Sequence, residues 1–271
     1  MDFDFSLILV IVVGITGTVY LLDLLIFRPL RRKDSAQYKA QVGSHADQSV
    51  IDEYEREPAW IEYPKAFFPV LFVVLVLRSF LFEPFKIPSG SMNPTLLDGD
   101  YILVNKYTYG IRLPVIGTEV ISVGLPQRGD ILVFRYPENP RINYIKRVVG
   151  IPGDEIRYDN KQLYINGEKI EPEFVAQLPP GRPQYKIYTE TLGEVKHQMQ
   201  HTMSRPAMVS DTWVVGEGQY FVLGDNRDNS KDSRFWNFVP EENIVGRAFA
   251  IWMHMPGWSF PSFDRNQFLD E

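Results

Sequence analysis

A serine-containing turn is the first candidate for chemistry in this sequence. In the segment IPSGSMNPTL (87–96), Ser89 and Ser91 flank Gly90, and a proline stands on each side. The prolines restrict the backbone, while the glycine lets it turn and approach another group closely. A hydroxyl on such a turn can be presented to a substrate, with neighbouring backbone N–H groups directed at an oxyanion. An ordinary helix-capping turn would have the same residues, and the motif alone does not separate the two.

A serine nucleophile needs a base, and Lys146 is the candidate. It lies in RINYIKRVVGIPGD, a run of residues suited to the interior of a sheet. Strand alternation places Tyr144 and Val148 on the same face as this lysine. Burial there would disfavour the ammonium, and lowering the pKa from ~10.4 to ~8 would supply a neutral amine able to deprotonate a serine. The alternative is a lysine at a strand edge whose ammonium reaches water.

The histidines offer weaker alternatives. His197 and His201 are four residues apart, which on a helix would place two imidazoles on one face, as zinc sites require. The residues between them lack the glutamate of a metalloprotease helix, so we expect two solvated polar side chains. His254, between two methionines, is expected to be a packed core residue. A Ser–His–Asp triad therefore has little support.

The acidic run GDNRDNSKDSRFW (224–236) suggests a calcium loop. Counted from Asp228, the sixth position is Ser233 where an EF-hand has glycine, and the twelfth is Val239 where it has glutamate. The EF-hand pattern therefore fails, and a tight turn held by Asp and Asn side chains is the simpler interpretation. We predict neither a metal nor a cofactor, and the polar side chains of this run stay available to support a nearby site.

Composition narrows the classes of function. The 271 residues contain 28 Lys and Arg against 34 Asp and Glu, which gives a net charge of −6. Nucleic-acid binding is not expected, because neutralising phosphates needs a basic face. The chain has no cysteine, so disulfides, thiolate nucleophiles and Cys-ligated metal centres are excluded.

Two apolar stretches near the N-terminus indicate attachment to a membrane. The first, Phe5–Leu22, carries no charge and is long enough to span the bilayer. Basic residues follow at 28–33, which argues against a cleaved signal peptide and places the N-terminus outside the cytoplasm. The second, 66–82, is near the lower length limit, and a core or interfacial helix is its alternative. If it spans, everything from about Glu83 lies outside the cytoplasm.

The rest of the chain has the pattern of a mainly β protein. Short runs rich in Val, Ile, Tyr and Phe alternate with Gly, Pro, Asn and Asp, which predicts antiparallel strands. Asn166–Gly167 predicts a hairpin turn, whereas 171–209 is poorer in β signals and is interpreted as an insertion or cap. The predicted organisation is a first transmembrane helix (1–27), a cytoplasmic loop (28–63), a second transmembrane helix (64–82), an antiparallel-sheet catalytic domain (83–150 and 219–271) and an inserted β-rich or cap region (151–218).

Four segments together resemble the sequence boxes of bacterial type I signal peptidases. They are FEPFKIPSGSMNPTLLDGDYILVNKYTYG, RGDILVFRYP, YIKRVVGIPGD and GDNRDNSKDSRFWNFVP, in the order of that family. The resemblance implies a membrane-bound serine endopeptidase that removes signal peptides from exported preproteins after small residues, on the outer face of the inner membrane. It implies preproteins and the lipid bilayer as partners, and no nucleic acid or metal.

The resemblance also implies roles for the residues at matching positions. Ser91 would be the nucleophile and Lys146 the general base. The hydroxyl of Ser89 and the backbone N–H of Ser91 would form the oxyanion hole. Ser230 would orient the lysine amine.

Further matching positions would support the site or line it. An ion pair between Asp232 and Arg234 would provide support. The positions that match the shallow apolar pockets for small residues are Ile87, Leu96, Ile102, Val133, Tyr144 and Ile145.

Aromatic residues near the predicted site fit a membrane interface, where such rings are favoured. Phe82 and Phe85 precede the serine turn, and Trp258, Phe260 and Phe263 lie in the C-terminal tail. We expect the tail to rest at the same interface.

Three rival interpretations remain compatible with parts of the pattern. A self-cleaving repressor uses Ser–Lys chemistry but needs a DNA-binding module, and none is visible. A penicillin-recognising enzyme would show Ser-x-x-Lys, and no serine here has lysine at that spacing. A membrane-tethered binding or scaffold protein would use the same sheet without chemistry.

Overall fold

The structure is a computed structural model that describes residues 5–112, 119–207 and 209–269. The described chain forms two compact units, one of residues 5–80 and one of the residues from 81 onward. The helices are α1 (Phe5–Leu22), α2 (Arg28–Val42), α3 (Gln48–Glu55), α4 (Ala59–Val76) and α5 (Ser233–Trp236). A π-helical turn joins α1 to α2, and a second one extends α4 to Leu81.

The first unit pairs two apolar helices. The helical segments Leu7–Val42 and Ala59–Leu81 are long and apolar enough to cross a membrane. The helices α1 and α4 pack closely at Gly17, because a Cβ there would lie 2.8 Å from the ring of Phe68. Tyr20 stacks on that same ring, with the centroids 5.5 Å apart. Glycine thus provides the close approach that small residues give to helix pairs in membranes.

A charged cluster lies where α1 ends. Asp23 is buried, and its carboxylate accepts hydrogen bonds from Arg31 at 2.7 Å and from Lys65 at 2.9 Å. Lys65 also contacts Glu57. A carboxylate next to an apolar helix is costly unless it is paired, and two cations satisfy that condition here.

The regular secondary structure of the second unit is mostly β-strand, as the alternation pattern predicts. The strands of the described chain are β1 (Phe82–Lys86), β2 (Asp100–Asn105), β3 (Gly110–Arg112), β4 (Glu119–Ser122), β5 (Ile131–Tyr136), β6 (Asn139–Gly150), β7 (Glu155–Asp159), β8 (Gln162–Ile165), β9 (Glu168–Lys169), β10 (Glu173–Leu178), β11 (Tyr185–Leu192), β12 (Val195–Thr202), β13 (Asp211–Val214), β14 (Gln219–Leu223), β15 (Val239–Pro240), β16 (Ile244–His254) and β17 (Gln267–Phe268).

These strands pair antiparallel into one large sheet and three small ones. The large sheet has the order β1-β2-β16-β5-β6-β14-β15, with β17 beside β16. The smaller sheets are β10-β11-β12, β13-β7-β8-β9 and β3-β4. The prediction of a mainly antiparallel β protein behind two apolar helices is therefore confirmed.

The sequence predicts one local feature of this unit correctly, a hairpin turn, and underestimates another, the strand content of residues 171–209. Asn166 and Gly167 both have positive φ angles, 52° and 83°, and join β8 to β9 as the predicted hairpin turn. The stretch 171–209 looked poor in β signals, yet it contains the whole sheet β10-β11-β12. Its strands carry Lys, Gln, Glu and His at many positions, and several of these polar residues form tertiary pairs that the local pattern does not reveal.

The strand that carries Lys146 is an interior strand of the large sheet. β6 lies between β5 and β14, and its residues 145–150 are all buried. Ile145 belongs to the apolar cluster on one face, and Val148 belongs to the cluster on the other. Apolar residues therefore cover both faces of the strand around positions 146 and 147.

Candidate active site

Ser91 lies on a single 3₁₀ turn, Gly90–Met92, between β1 and β2. Met92 is fully buried and anchors the turn in the core. Asn226 binds the turn from the side: its backbone N–H donates to the Ser91 carbonyl at 3.1 Å, and its Nδ2 donates to the Gly90 carbonyl at 2.9 Å. These contacts fix the backbone of the turn, so the position of the Ser91 hydroxyl is defined.

The amine of Lys146 contacts that hydroxyl. Its Nζ donates to Ser91 Oγ at 2.8 Å and to the Ile145 carbonyl at 2.7 Å, and the residue is 4% exposed. Burial lowers the pKa of Lys146 to about 8, although the charges of Asp232 and Asp225 act to raise it. The strand-edge alternative is therefore wrong, because the amine is buried and within reach of a serine proton, and about half of it is neutral near pH 8.

Ser230 approaches the same turn because Gly224 has no side chain. A Cβ on Gly224 would collide with the Ser230 side chain and would lie 2.5 Å from the Ser91 carbonyl oxygen. Ser230 Oγ is buried and makes no hydrogen bond within the described chain. That Ser230 orients the Lys146 amine stays a prediction, since the second hydrogen bond of the amine goes to a backbone carbonyl.

Asp232 and Arg234, which we expected to pair, are joined twice. Arg234 Nε donates to Asp232 Oδ1 at 2.8 Å, and its Nη2 donates to Oδ2 at 2.9 Å. Asp232 is fully buried and also accepts from the Gly224 N–H at 3.0 Å. Arg234 further donates to the Arg227 carbonyl at 2.5 Å. The pair therefore fixes the loop that carries Ser230.

The remaining predicted residues lie next to the serine turn or in the two apolar clusters of the large sheet. Ser89 is exposed, precedes the turn, and its side chain makes no capping hydrogen bond. Tyr144 packs against the second apolar cluster, where it stacks on Tyr136 with centroids 4.4 Å apart, and its ring centroid is 5.5 Å from Lys146 Nζ. The other five predicted lining residues belong to one apolar cluster: Ile87, Leu96, Ile102, Val133 and Ile145.

Sequence reasoning missed a buried ion pair beside the dyad. Arg147 donates to both carboxylate oxygens of Asp225, at 2.9 and 2.7 Å, and its Nη1 donates to the Gly129 carbonyl at 2.8 Å. Thr95 Oγ1 donates to the same carboxylate at 2.6 Å. Burial opposes ionisation of Asp225, but the charges of Arg147 and His197 outweigh it and hold the carboxyl pKa below its usual range. The only sequence signal was a charge within an apolar strand.

The expectation of solvated histidines is wrong. His197 and His201 lie on one face of β12, and both are largely buried. The His197 ring lies 3.2 Å from Glu190, and the His201 ring lies 3.2 Å from Asp228. Burial lowers the pKa of His201, although its hydrogen bond to Asp228 acts in the opposite direction. Carboxylates remote in sequence made this burial possible, so local polarity was misleading.

His254 also differs from the expected core residue. It is only partly buried, and its Nδ1 lies 2.7 Å from Asp100 Oδ1. Arg265 binds the same carboxylate through two hydrogen bonds of 2.9 Å. The ring therefore belongs to a charged cluster at the end of β16, where an apolar environment was expected.

A serine hydroxyl held against a buried amine on a β scaffold can carry out acyl transfer, the chemistry of serine hydrolases. Comparison with known proteins agrees with this class. The family model described as signal peptidase, peptidase S26, matches residues 60–253. Signal peptidase I from Pseudomonas fluorescens is 54% identical over 94% of this chain and 94% of its own length. Signal peptidase I from Pseudomonas aeruginosa is 51% identical over 98% of both.

The family match and these near full-length relatives show that the chain belongs to the S26 family of signal peptidases. It is therefore a serine peptidase with signal peptidase function. Together with the two apolar helices, these relatives indicate a membrane protein.

Proposed function

We propose that the protein is a membrane-bound endopeptidase that removes signal peptides from exported preproteins after small residues, with Ser91 as the nucleophile and Lys146 as the general base. One observation carries this proposal. The Lys146 amine lies 2.8 Å from Ser91 Oγ in an environment that lowers its pKa to about 8. An amine that is partly neutral at physiological pH can accept the serine proton.

The reaction follows from this contact. Neutral Lys146 takes the proton of Ser91 as Oγ attacks the scissile carbonyl carbon, and the carbonyl oxygen becomes an oxyanion. The Ser91 N–H and the hydroxyl of Ser89, exposed and uncommitted to a cap, donate hydrogen bonds to that oxyanion. Protonated Lys146 then gives its proton to the leaving amine. Water hydrolyses the acyl-enzyme with Lys146 again as the base, which restores both groups.

The supporting residues keep the amine in place through this cycle. The buried ion pair of Asp232 and Arg234 holds the loop on which Ser230 lies. In our proposal, the free hydroxyl of Ser230 accepts a hydrogen bond from Lys146 once the amine turns toward the leaving group. The negative charge of Asp232, which acts to raise the lysine pKa, also stabilises the ammonium that forms.

We attribute the specificity for small residues to the close packing of the predicted lining residues. The five predicted lining residues of the first cluster are each at most 9% exposed, so their side chains already fill the space they enclose. A large substrate side chain would have to displace packed core atoms, which is costly. Small side chains would need little displacement of these packed atoms.

The proposed position of the protein in the membrane rests on separate features of the two units. In the first unit, α1 and α4 are proposed to span the inner membrane, with the basic residues 28–33 in the cytoplasm. The second unit would then lie on the periplasmic side. Its Trp258 and Phe260 side chains are almost completely exposed, as expected of rings that rest in a bilayer interface.

Substitution of the dyad tests the proposal. In full-length protein reconstituted in lipid, Ser91→Ala and Lys146→Met should each reduce preprotein processing by about 10⁴-fold, since each removes one half of a cooperating pair. Ser210→Ala and Lys186→Met change the same residue types away from the site and should process normally. Normal processing by either dyad variant would refute the catalytic assignment, and preprotein binding without turnover by wild-type protein would favour the scaffold alternative.

A further inference from the structure

A cavity of about 470 Å³ in the second unit lies outside the proposed dyad. Its walls come from the hairpin of β11 and β12, from residues that follow the serine turn, and from the C-terminal segment 265–269. Among the described residues that line it, every charged or titratable side chain is basic: Arg147, Lys196, His197 and Arg265. Asp225, Glu190 and Asp100 pair with Arg147, His197 and Arg265, so the suitability of the cavity for an anion depends on the donors that these pairs leave over.

Not all of these cations are already neutralised. Arg147 donates its hydrogen bonds to Asp225 and to the Gly129 carbonyl. Arg265 uses Nε and Nη2 on Asp100, while its Nη1 donates no hydrogen bond within the described chain. Lys196 is exposed and forms no ion pair with any described residue. An ammonium and one guanidinium nitrogen are thus available to a ligand.

One border of the cavity is apolar. Phe268 is 63% exposed and lines the cavity together with Leu269. The Leu269 N–H donates to the Phe249 carbonyl, and the ring of Phe249 contacts that of Phe82 with centroids 5.4 Å apart. Phe82 is the residue that directly follows the second apolar helical segment, Ala59–Leu81. A backbone hydrogen bond and a ring contact therefore link Leu269, at the border of the cavity, through Phe249 to Phe82.

We propose that this cavity binds the phosphate group of an anionic phospholipid, with Lys196 and Arg265 as its cationic donors and Phe268 beside the acyl chains. A phosphate alone would need only the cations. The exposed ring of Phe268 at the border of the cavity favours a ligand that has an anionic head and an apolar tail. This inference rests on the proposed membrane placement and is independent of the Ser91 and Lys146 chemistry.

Lipid retention by the full-length protein tests the site. Wild-type protein, purified in detergent and titrated with phosphatidylglycerol, should retain the lipid in native mass spectrometry in preference to phosphatidylcholine. Lys196→Gln should weaken this retention about fivefold, the effect of one cation near a lipid phosphate. Lys186→Gln, on the same hairpin but lining a different groove, is the matched control and should retain the lipid as wild type does.

Three results would overturn the proposal. One is equal retention by wild type and Lys196→Gln, and another is an equal loss in Lys186→Gln. The third is release of phosphatidylglycerol by millimolar inorganic phosphate or by an acidic peptide, which would assign the cavity to a free anion or to substrate. The Ser91→Ala variant separates the two proposals, because it should retain lipid as wild type does. Lipid retention would therefore be unchanged even if the catalytic assignment of Ser91 and Lys146 were refuted.

Discussion

Lys146 and Arg147 are consecutive residues of one interior strand, yet only Arg147 forms an ion pair with a buried carboxylate. Both side chains are almost completely buried. Arg147 donates two hydrogen bonds to Asp225 and a third to a carbonyl, so its charge is matched. Lys146 contacts a hydroxyl and a carbonyl, and no carboxylate of the described chain forms an ion pair with it.

The difference shows how one strand can supply both a structural ion pair and a base. Strand alternation directs the two side chains to opposite faces. On the face of Arg147, Asp225 provides a partner of opposite charge. Asp225 also accepts a hydrogen bond from Thr95, so the pair connects the strand to the segment that follows the serine turn. On the other face, burial without a direct counter-ion favours the uncharged amine. A paired carboxylate therefore gives Arg147 a structural role, and the lack of one allows Lys146 to act as a base.

Replacing the base by a permanent cation should have the largest effect. A guanidinium cannot deprotonate in a protein, so Lys146→Arg should lower processing by about 10⁴-fold even though the positive charge is kept. The measurement is single-turnover cleavage of a preprotein by the full-length variant in lipid. Lys186→Arg serves as the control for the substitution itself. Substantial activity in Lys146→Arg would show that no neutral amine is needed.

Breaking the neighbouring ion pair should damage stability. Arg147→Met leaves the fully buried Asp225 without its main partner, which should cost about 3–5 kcal/mol in the free energy of unfolding. Denaturant unfolding of the full-length protein measures this cost. Lys169→Met removes an exposed pair with Glu171 and should leave the unfolding midpoint unchanged. If both variants unfold alike, the pair has no stabilising role.

Removing the amine of Lys146 should raise the free energy of unfolding, which is the opposite of the effect of Arg147→Met. Near pH 7 the buried ammonium is disfavoured, and the difference between a pKa of 10.5 in the unfolded chain and about 8 in the folded protein corresponds to about 3 kcal/mol. Lys146→Met should therefore be more stable than wild type at pH 7, by up to about that amount. The unfolded chain binds more protons between pH 8 and 10.5, so wild-type stability should rise through that window and the advantage of the variant should shrink. A variant less stable than wild type at pH 7 would contradict this account.

The pH dependence of processing should show the smallest but most direct effect. Because the neutral amine is the active form, kcat/KM should rise about tenfold between pH 6 and pH 7 and level off above about pH 8. The pH profile of a short peptide substrate, measured in constant lipid, tests this. A profile that is flat from pH 6 to pH 8 would mean that Lys146 is not the group that titrates.

Much of the fold follows from local patterns that the sequence carries openly. Two apolar stretches, the first uncharged and the second interrupted by Arg78, each predicted a helix that is present. The alternating β-type runs and the Asn166–Gly167 turn likewise predicted strands and a hairpin turn that are present. The sheet β10-β11-β12 was harder, because its polar residues hid the strand pattern. His197 and His201 were misjudged for the same reason, since their burial depends on Glu190 and Asp228. Ion pairs between residues remote in sequence leave no periodic signal.

By itself the sequence determined which groups could react: a serine on a restricted turn, and a lysine within an apolar strand. The tertiary structure decided that these groups meet, 55 residues apart in the chain and 2.8 Å apart in space. It also decided that Asp225 pairs with Arg147 and forms no ion pair with Lys146. The physical reason is that residue types fix intrinsic chemistry, whereas burial and partner charges, which shift a pKa, exist only after strands from distant parts of the chain have packed together.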